Sequence, residues 1–141
     1  MTRLKLYLVL PLLIGLSACE VFLDATLFNN TGESVEIRGG DITTIAPNRS
    51  AHLIYPNESD NRVFRLAIGG CVYLYDVPQT LDDYHLPDFK FRTGRGVQIQ
   101  VEKDFSINLL PPDYAGDGPA PNEAVLKRQG FPLRPVAKKC G

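Results

Sequence analysis

From Leu23 to about Leu110, apolar and polar residues alternate with a period of two, and glycine, asparagine and proline break the pattern at short intervals. This constrains the fold more than any other feature, because strand side chains point to opposite faces in turn, whereas a helix needs apolar positions three or four apart. Leu23, Ala25 and Leu27 fall on one face and Asp24 and Thr26 on the other. Val35 and Ile37 alternate with Ser34, Glu36 and Arg38. Residues facing one another across a hairpin share a face, so pairing Leu27 with Val35 predicts a hairpin whose loop is Asn30-Thr31-Gly32. Residues 41–46 and 50–55 predict two more short strands around Pro47-Asn48.

The strongest turn signal is Gly69-Gly70 inside VFRLAIGGCVYLYDV. Both glycines accept the positive φ of a two-residue hairpin, which pairs Ile68 with Cys71, Leu66 with Tyr73 and Phe64 with Tyr75. That face reads as core. The opposite face, with Ala67, Val72 and Leu74, is too apolar for open solvent and is expected to be covered, with the end of the chain as a candidate cover. In FKFRTGRGVQIQVEKDF a further hairpin is predicted, with loop Thr93-Gly94-Arg95. Phe89, Phe91, Val97, Ile99 and Val101 face in, and Lys90, Arg92, Gln98, Gln100 and Glu102 face out. Phe105, Ile107 and Leu109 predict a last strand. About seven or eight short, mainly antiparallel strands with tight turns define an all-β chain, read as a small β-sandwich over residues 23–110. A small barrel is the rival reading.

From Pro111 the pattern changes: six of the eleven prolines lie between 111 and 135. Extended structure is expected over 111–141, with one short helix from Asn122 to Gln129. Asn122 would cap its start, Gly130 would end it, and Phe131 would fold back on Leu126. Lys127 and Arg128 suit the negative end of a helix dipole.

The first twenty residues carry a different message. Arg3 and Lys5 precede an eleven-residue apolar run, Leu6 to Leu16, followed by Ser17, Ala18 and Cys19. A helix needs about 20 apolar residues to cross a bilayer, so this run is too short, and Pro11 interrupts it. A basic start, a short apolar middle and small residues before a cut site describe a secretory signal peptide. The tetrad Leu16-Ser17-Ala18-Cys19 resembles the lipobox of bacterial lipoprotein precursors. The resemblance implies cleavage after residue 18 and a diacylglycerol on the Cys19 sulfur, followed by acylation of the new amine. It also implies an outer-membrane address, because aspartate rather than Glu20 commonly signals retention at the inner membrane. Two or more acyl chains hold a protein durably on a bilayer, where one gives only marginal binding. The expected organisation is therefore a signal peptide at 1–18, a lipidated tether at 19–22, the sandwich at 23–110 and a proline-rich tail at 111–141. An ordinary signal peptide beside a structural cysteine, or an uncleaved anchor, is the alternative.

Removing residues 1–18 leaves 123 of 141 residues, enough for one domain. The chain has 15 basic and 16 acidic residues; without Arg3 and Lys5 the balance is 13 against 16, a formal charge of −3. No basic stripe with interleaved aromatics is present, so nucleic acid is not an expected partner. Export matters for the other two cysteines. The periplasm is oxidising, so Cys71 and Cys140 are expected to form a disulfide closing a 69-position loop. Two free thiols are the alternative. Metal ligation is disfavoured, since no CxxC or histidine cluster accompanies either cysteine.

A search for catalytic signatures finds no GxSxG elbow, HExxH pair, Walker loop or dinucleotide glycine pattern. His52 lies in a predicted strand, where a surface or satisfied core imidazole is the default. Arg92 and Arg95 near a hairpin tip could meet phosphate or lipopolysaccharide; exposed charge at a strand edge also serves solubility. Three Asn-X-Ser/Thr triplets, at Asn29, Asn48 and Asn57, read as turn residues beside a lipobox. The most unusual surface segment is YDVPQTLDDYHLPDF, residues 75–89, which gathers Asp76, Asp82, Asp83, Tyr84, His85 and Asp88 on an irregular connection. It is the candidate partner-binding loop, since binding residues often sit on loops carried by a rigid scaffold. A cation site on the acids and His85 matches no calcium-loop spacing.

These features point to a non-catalytic accessory or docking module on the periplasmic face of the outer membrane. It would be held by a covalent lipid on Cys19, would need no other cofactor, and would bind an envelope protein. A periplasmic inhibitor or immunity protein is one alternative. A metal-dependent or hydrolytic enzyme using residues 76–88 is the other.

Overall fold

The structure, a computed structural model, describes residues 21–39, 42–56, 62–78, 97–111, 114, 119–127 and 130–141. Within them the chain forms nine strands: β1 Val21–Asn29, β2 Val35–Ile37, β3 Thr43–Ile45, β4 Ser50–Pro56, β5 Val63–Ile68, β6 Cys71–Asp76, β7 Val97–Val101, β8 Ile107–Leu110 and β9 Ala137–Cys140. They build two sheets, in the orders β4-β1-β7-β8 and β3-β2-β5-β6-β9. All neighbours are antiparallel except β1 and β7, which run parallel.

The period-two pattern explains why two sheets form. Ala25, Leu27, Val97, Ile99, Val101, Ile107 and Leu109 line the inner face of the first sheet. Val35, Ile37, Phe64, Leu66, Ile68, Tyr73 and Tyr75 line that of the second, and the two sets merge into one buried cluster. Each large apolar side chain so buried stabilises the fold by about 1.5–3 kcal/mol. The Gly69-Gly70 hairpin has the predicted register, Ile68 with Cys71, Leu66 with Tyr73 and Phe64 with Tyr75. Its glycines take φ of 57° and 78°, in the left-handed region that a Cβ disfavours.

The predicted β1–β2 hairpin does not form. β1 pairs with β4 and β7, while β2 lies in the other sheet between β3 and β5. The cause is Asn29, which is fully buried. Its Nδ2 donates to the carbonyl oxygens of Glu33 at 2.7 Å and Ile45 at 2.9 Å, and its Oδ1 accepts from the Thr31 N–H at 3.0 Å. These bonds bend the chain out of one sheet into the other. The β3–β4 connection crosses back beside it: Asn48 N–H donates to the Asn29 carbonyl and Asn29 N–H to that of Arg49, each at 2.9 Å. Asn29 thus ties both crossings together.

Three further expectations need correction. Phe105 is not in a strand but in the turn before β8, at φ 62°, where Phe105 N–H donates to the Glu102 carbonyl and the ring packs 4.7 Å from Tyr73. Gln100 does not face solvent; it is fully buried, and its Oε1 accepts from the Ala120 N–H at 2.8 Å, so the proline-rich segment covers it. Of the helix expected over 122–129, the described residues form a single 3-10 turn, Asn122–Ala124, preceded by Pro121 and ended by extended Val125; 128 and 129 lie outside them. Leu126 N–H donates to the Leu109 carbonyl at 2.8 Å, so the chain joins the β8 edge instead of continuing a helix. Gly130 does take positive φ, at 86°, and Leu126 and Phe131 both pack on the core. The predicted strand at 89–92 lies outside the described residues; β7 has β1 and β8 as its two neighbours.

The end of the chain supplies β9, which the sequence reading did not anticipate. It extends the second sheet beside β6, with Cys140 opposite Cys71 and the two sulfurs at disulfide distance, 2.00 Å. Just upstream, Leu133 is buried and exchanges both backbone hydrogen bonds with Ile107.

Candidate functional site

Among the residues singled out by sequence, Asp76 is described, exposed at the end of β6. Asp82, Asp83, Tyr84, His85 and Asp88 lie outside the described residues, as do Cys19, Arg92 and Arg95. His52 is exposed on β4 opposite Thr26, on the sheet that does not contain Asp76. Within the described residues, no group of three His, Cys, Asp or Glu side chains is placed to hold a metal ion.

Among the described residues, an open groove of about 610 Å³ lies on the outer face of the five-stranded sheet. It arises from the same alternation that builds the core. Val35, Ile37, Phe64, Leu66, Ile68 and Tyr73 point inward, so Ser34, Glu36, Arg38, Ala67 and Val72 point outward and line it. The floor is Ala67 and Val72, flanked by the Gly69-Gly70 backbone. One wall carries Thr44 and the Glu36–Arg38 ion pair, 2.7 Å long, and the other carries Lys139. The apolar face seen in Ala67, Val72 and Leu74 is thus half-buried and, among the described residues, is not covered by another layer; β9 lies beside it in the sheet. A groove of this kind offers apolar contact with ionic groups on both sides, the composition of a protein-binding surface more than of a deep ligand pocket.

The outer face of the other sheet is built differently. Glu102 there accepts from Gln100 Nε2 at 2.6 Å and Asn108 Nδ2 at 2.9 Å on one oxygen, and from Asn30 Nδ2 at 2.7 Å on the other. Three amides from β7, β8 and the turn after β1 therefore converge on one carboxylate, and the Ala120 bond to Gln100 pins the tail onto them. The alternation of the sequence places Gln100 and Glu102 on the solvent side and Asn30 in a turn loop, with nothing to bring them together. The clue available was the row Gln98-Gln100-Glu102 opposite Asn108, too rich in amides for a plain surface.

Two titratable groups are displaced from their ordinary values. Burial, reinforced by Tyr73 and Asp104, pushes the Tyr75 phenol well above its usual range, and its hydroxyl donates to the Phe105 carbonyl at 2.8 Å. Hydrogen bonds from the Ser106 hydroxyl and N–H lower the pKa of Asp104, with Arg134 assisting. Both groups hold the 102–106 turn. Comparison with protein-family models, with curated proteins and with solved structures finds no match to this chain.

Proposed function

We propose that the protein is a lipid-anchored lipoprotein of the bacterial outer membrane. Its β-sandwich faces the periplasm and serves as a non-catalytic docking module for an envelope protein. The observation that carries this reading is the Leu16-Ser17-Ala18-Cys19 tetrad, placed directly before a strand-built domain. Lipidation of Cys19 would fix such a domain at a bilayer, and export would supply the oxidising conditions under which Cys71 and Cys140 pair. The groove beside the Gly69-Gly70 turn supports a binding role, having an apolar floor and charged walls.

The test is crosslinking in intact cells followed by purification from membranes. Recovery of a cell-wall, secretion or assembly component supports the docking role. Recovery of a foreign hydrolase would favour the inhibitor reading instead. Cys19→Ala should move the protein from the membrane fraction to the soluble fraction; a variant that stays with the membrane contradicts the anchor.

A further inference from the structure

The distance between the anchor and the fold is very short. β1 starts at Val21, two residues earlier than the sequence pattern suggested, and Glu20 alone separates it from Cys19. Two extended residues span at most about 7 Å, less than the width of a single helix with its side chains. β1 pairs with β4 from Val21, with a register irregularity between Val21 and Leu23, and with β7 from Ala25, so lengthening the tether would break ladder hydrogen bonds. From this we infer that the lipid anchor sets the orientation of the sandwich: the end at Val21 rests on the phospholipid headgroups and the opposite end points away from the membrane. This inference rests on the lipid-anchor reading above.

The strand registers assign residues to each end. Val21 lies opposite Pro56, so the close of β4 is at the membrane end. In the other sheet, Val35 pairs with Ile68 beside the Gly69-Gly70 turn, while Val63 pairs with Asp76 at the far end of the same ladder. A Cβ on Gly69 would meet the Glu33 side chain, which follows the close of β1, so the glycine turn lies at the distal end. The membrane end therefore holds Val21, Pro56, Val63 and Asp76. The distal end holds the turns at 30–34, 46–49, 69–70 and 102–106.

The character of the surface agrees with that polarity. The exposed large apolar residues among those described are Ile42, Ile54 and Val136. Ile54 pairs with Asp24, in the Val21 half of β1. Ile42 precedes Thr43, at the end of the β2–β3 ladder remote from the glycine turn. Val136 N–H donates to the Leu74 carbonyl, toward the Asp76 end of β6. All three thus lie in the half nearer the anchor. The distal turns at 30–34, 46–49 and 102–106 read NTGES, APNR and EKDFS, which are mainly polar. β1 has nine residues, so about 30 Å separates the two ends, a separation that spectroscopy can resolve.

The test uses the full-length lipidated protein in phosphatidylethanolamine–phosphatidylglycerol vesicles containing a nickel-chelating lipid. A fluorophore is placed at Asp76→Cys in one sample and at Lys103→Cys in another, both exposed positions. The inference predicts several-fold stronger quenching at position 76 than at 103. Mass spectrometry of the same samples reports the acyl chains. Acylated protein with equal or reversed quenching overturns the orientation and leaves the anchor standing. Protein without acyl chains overturns both.

Discussion

Two turns in this molecule look alike in sequence and behave differently. Gly69-Gly70 and Asn30-Thr31-Gly32 each lie between alternating strands, and each contains glycine at positive φ. The first closes a local hairpin within one sheet; the second carries the chain across the core from one sheet to the other. The difference lies one residue before the second turn. A hairpin satisfies its backbone groups along its own ladder, whereas a crossing leaves carbonyls with no strand partner. Asn29 supplies the missing donors to Glu33 and Ile45 from a fully buried position. An asparagine at the close of an apolar strand face is thus a mark of a sheet change more than of a tight turn.

The largest effect is expected beside the first turn, where the Cys71–Cys140 link joins sequence-distant strands. β9 consists entirely of exposed residues, so its own packing contributes little. A 69-position link reduces the entropy of the unfolded chain, and the double variant Cys71→Ser/Cys140→Ser should lose about 4 kcal/mol in urea denaturation. Next comes Asn29→Leu, which leaves the Ile45 carbonyl buried without its donor and should cost about 3 kcal/mol by the same measurement. A loss as small as that of an exposed-site variant would break the comparison of the two turns.

Glycine variants sharpen it further. Gly69→Ala should cost about 1 kcal/mol or somewhat more, since an added Cβ meets Glu33 Oε2 at 2.8 Å, although that side chain can swing away. Gly32 also has a positive φ, 89°, but open space around it, and Gly32→Ala should cost about 1 kcal/mol. The smallest effect concerns Asp104. Its carboxyl is held below its unfolded pKa, so its contribution is present above the unfolded pKa near 4 and is lost as pH falls through the lower folded value. The stability gap between the wild type and Asp104→Asn should accordingly be small at pH 6 and narrower at pH 3; a gap that widens toward low pH contradicts the assignment.

Much of this fold is legible in the chain because the period of two is a direct consequence of strand geometry. Leu27, Val35, Leu66, Ile99 and Ile107 are core in the structure as in the pattern. Pairing is less legible. The parallel neighbours β1 and β7 are separated by most of the domain, and no local signal brings Ala25 to Val97. Gln100 was misread because a polar residue at an outward position is buried by a segment twenty residues away. The 122–129 helix failed for a related reason: its capping residues are suitable, but the Leu126 amide finds a sheet carbonyl first. For the site, the alternation exposes an apolar outer face at Ala67 and Val72, yet the groove's walls come from β2 and β9, which only the tertiary fold brings there.

The proposed membrane address turns on the chemistry of one sulfur. Mass spectrometry of the protein extracted from native membranes should find a mature chain beginning at Cys19, carrying a diacylglycerol thioether and an acylated amine. A chain retaining residues 1–18, or a Cys19 thiol free to react with iodoacetamide, would contradict it.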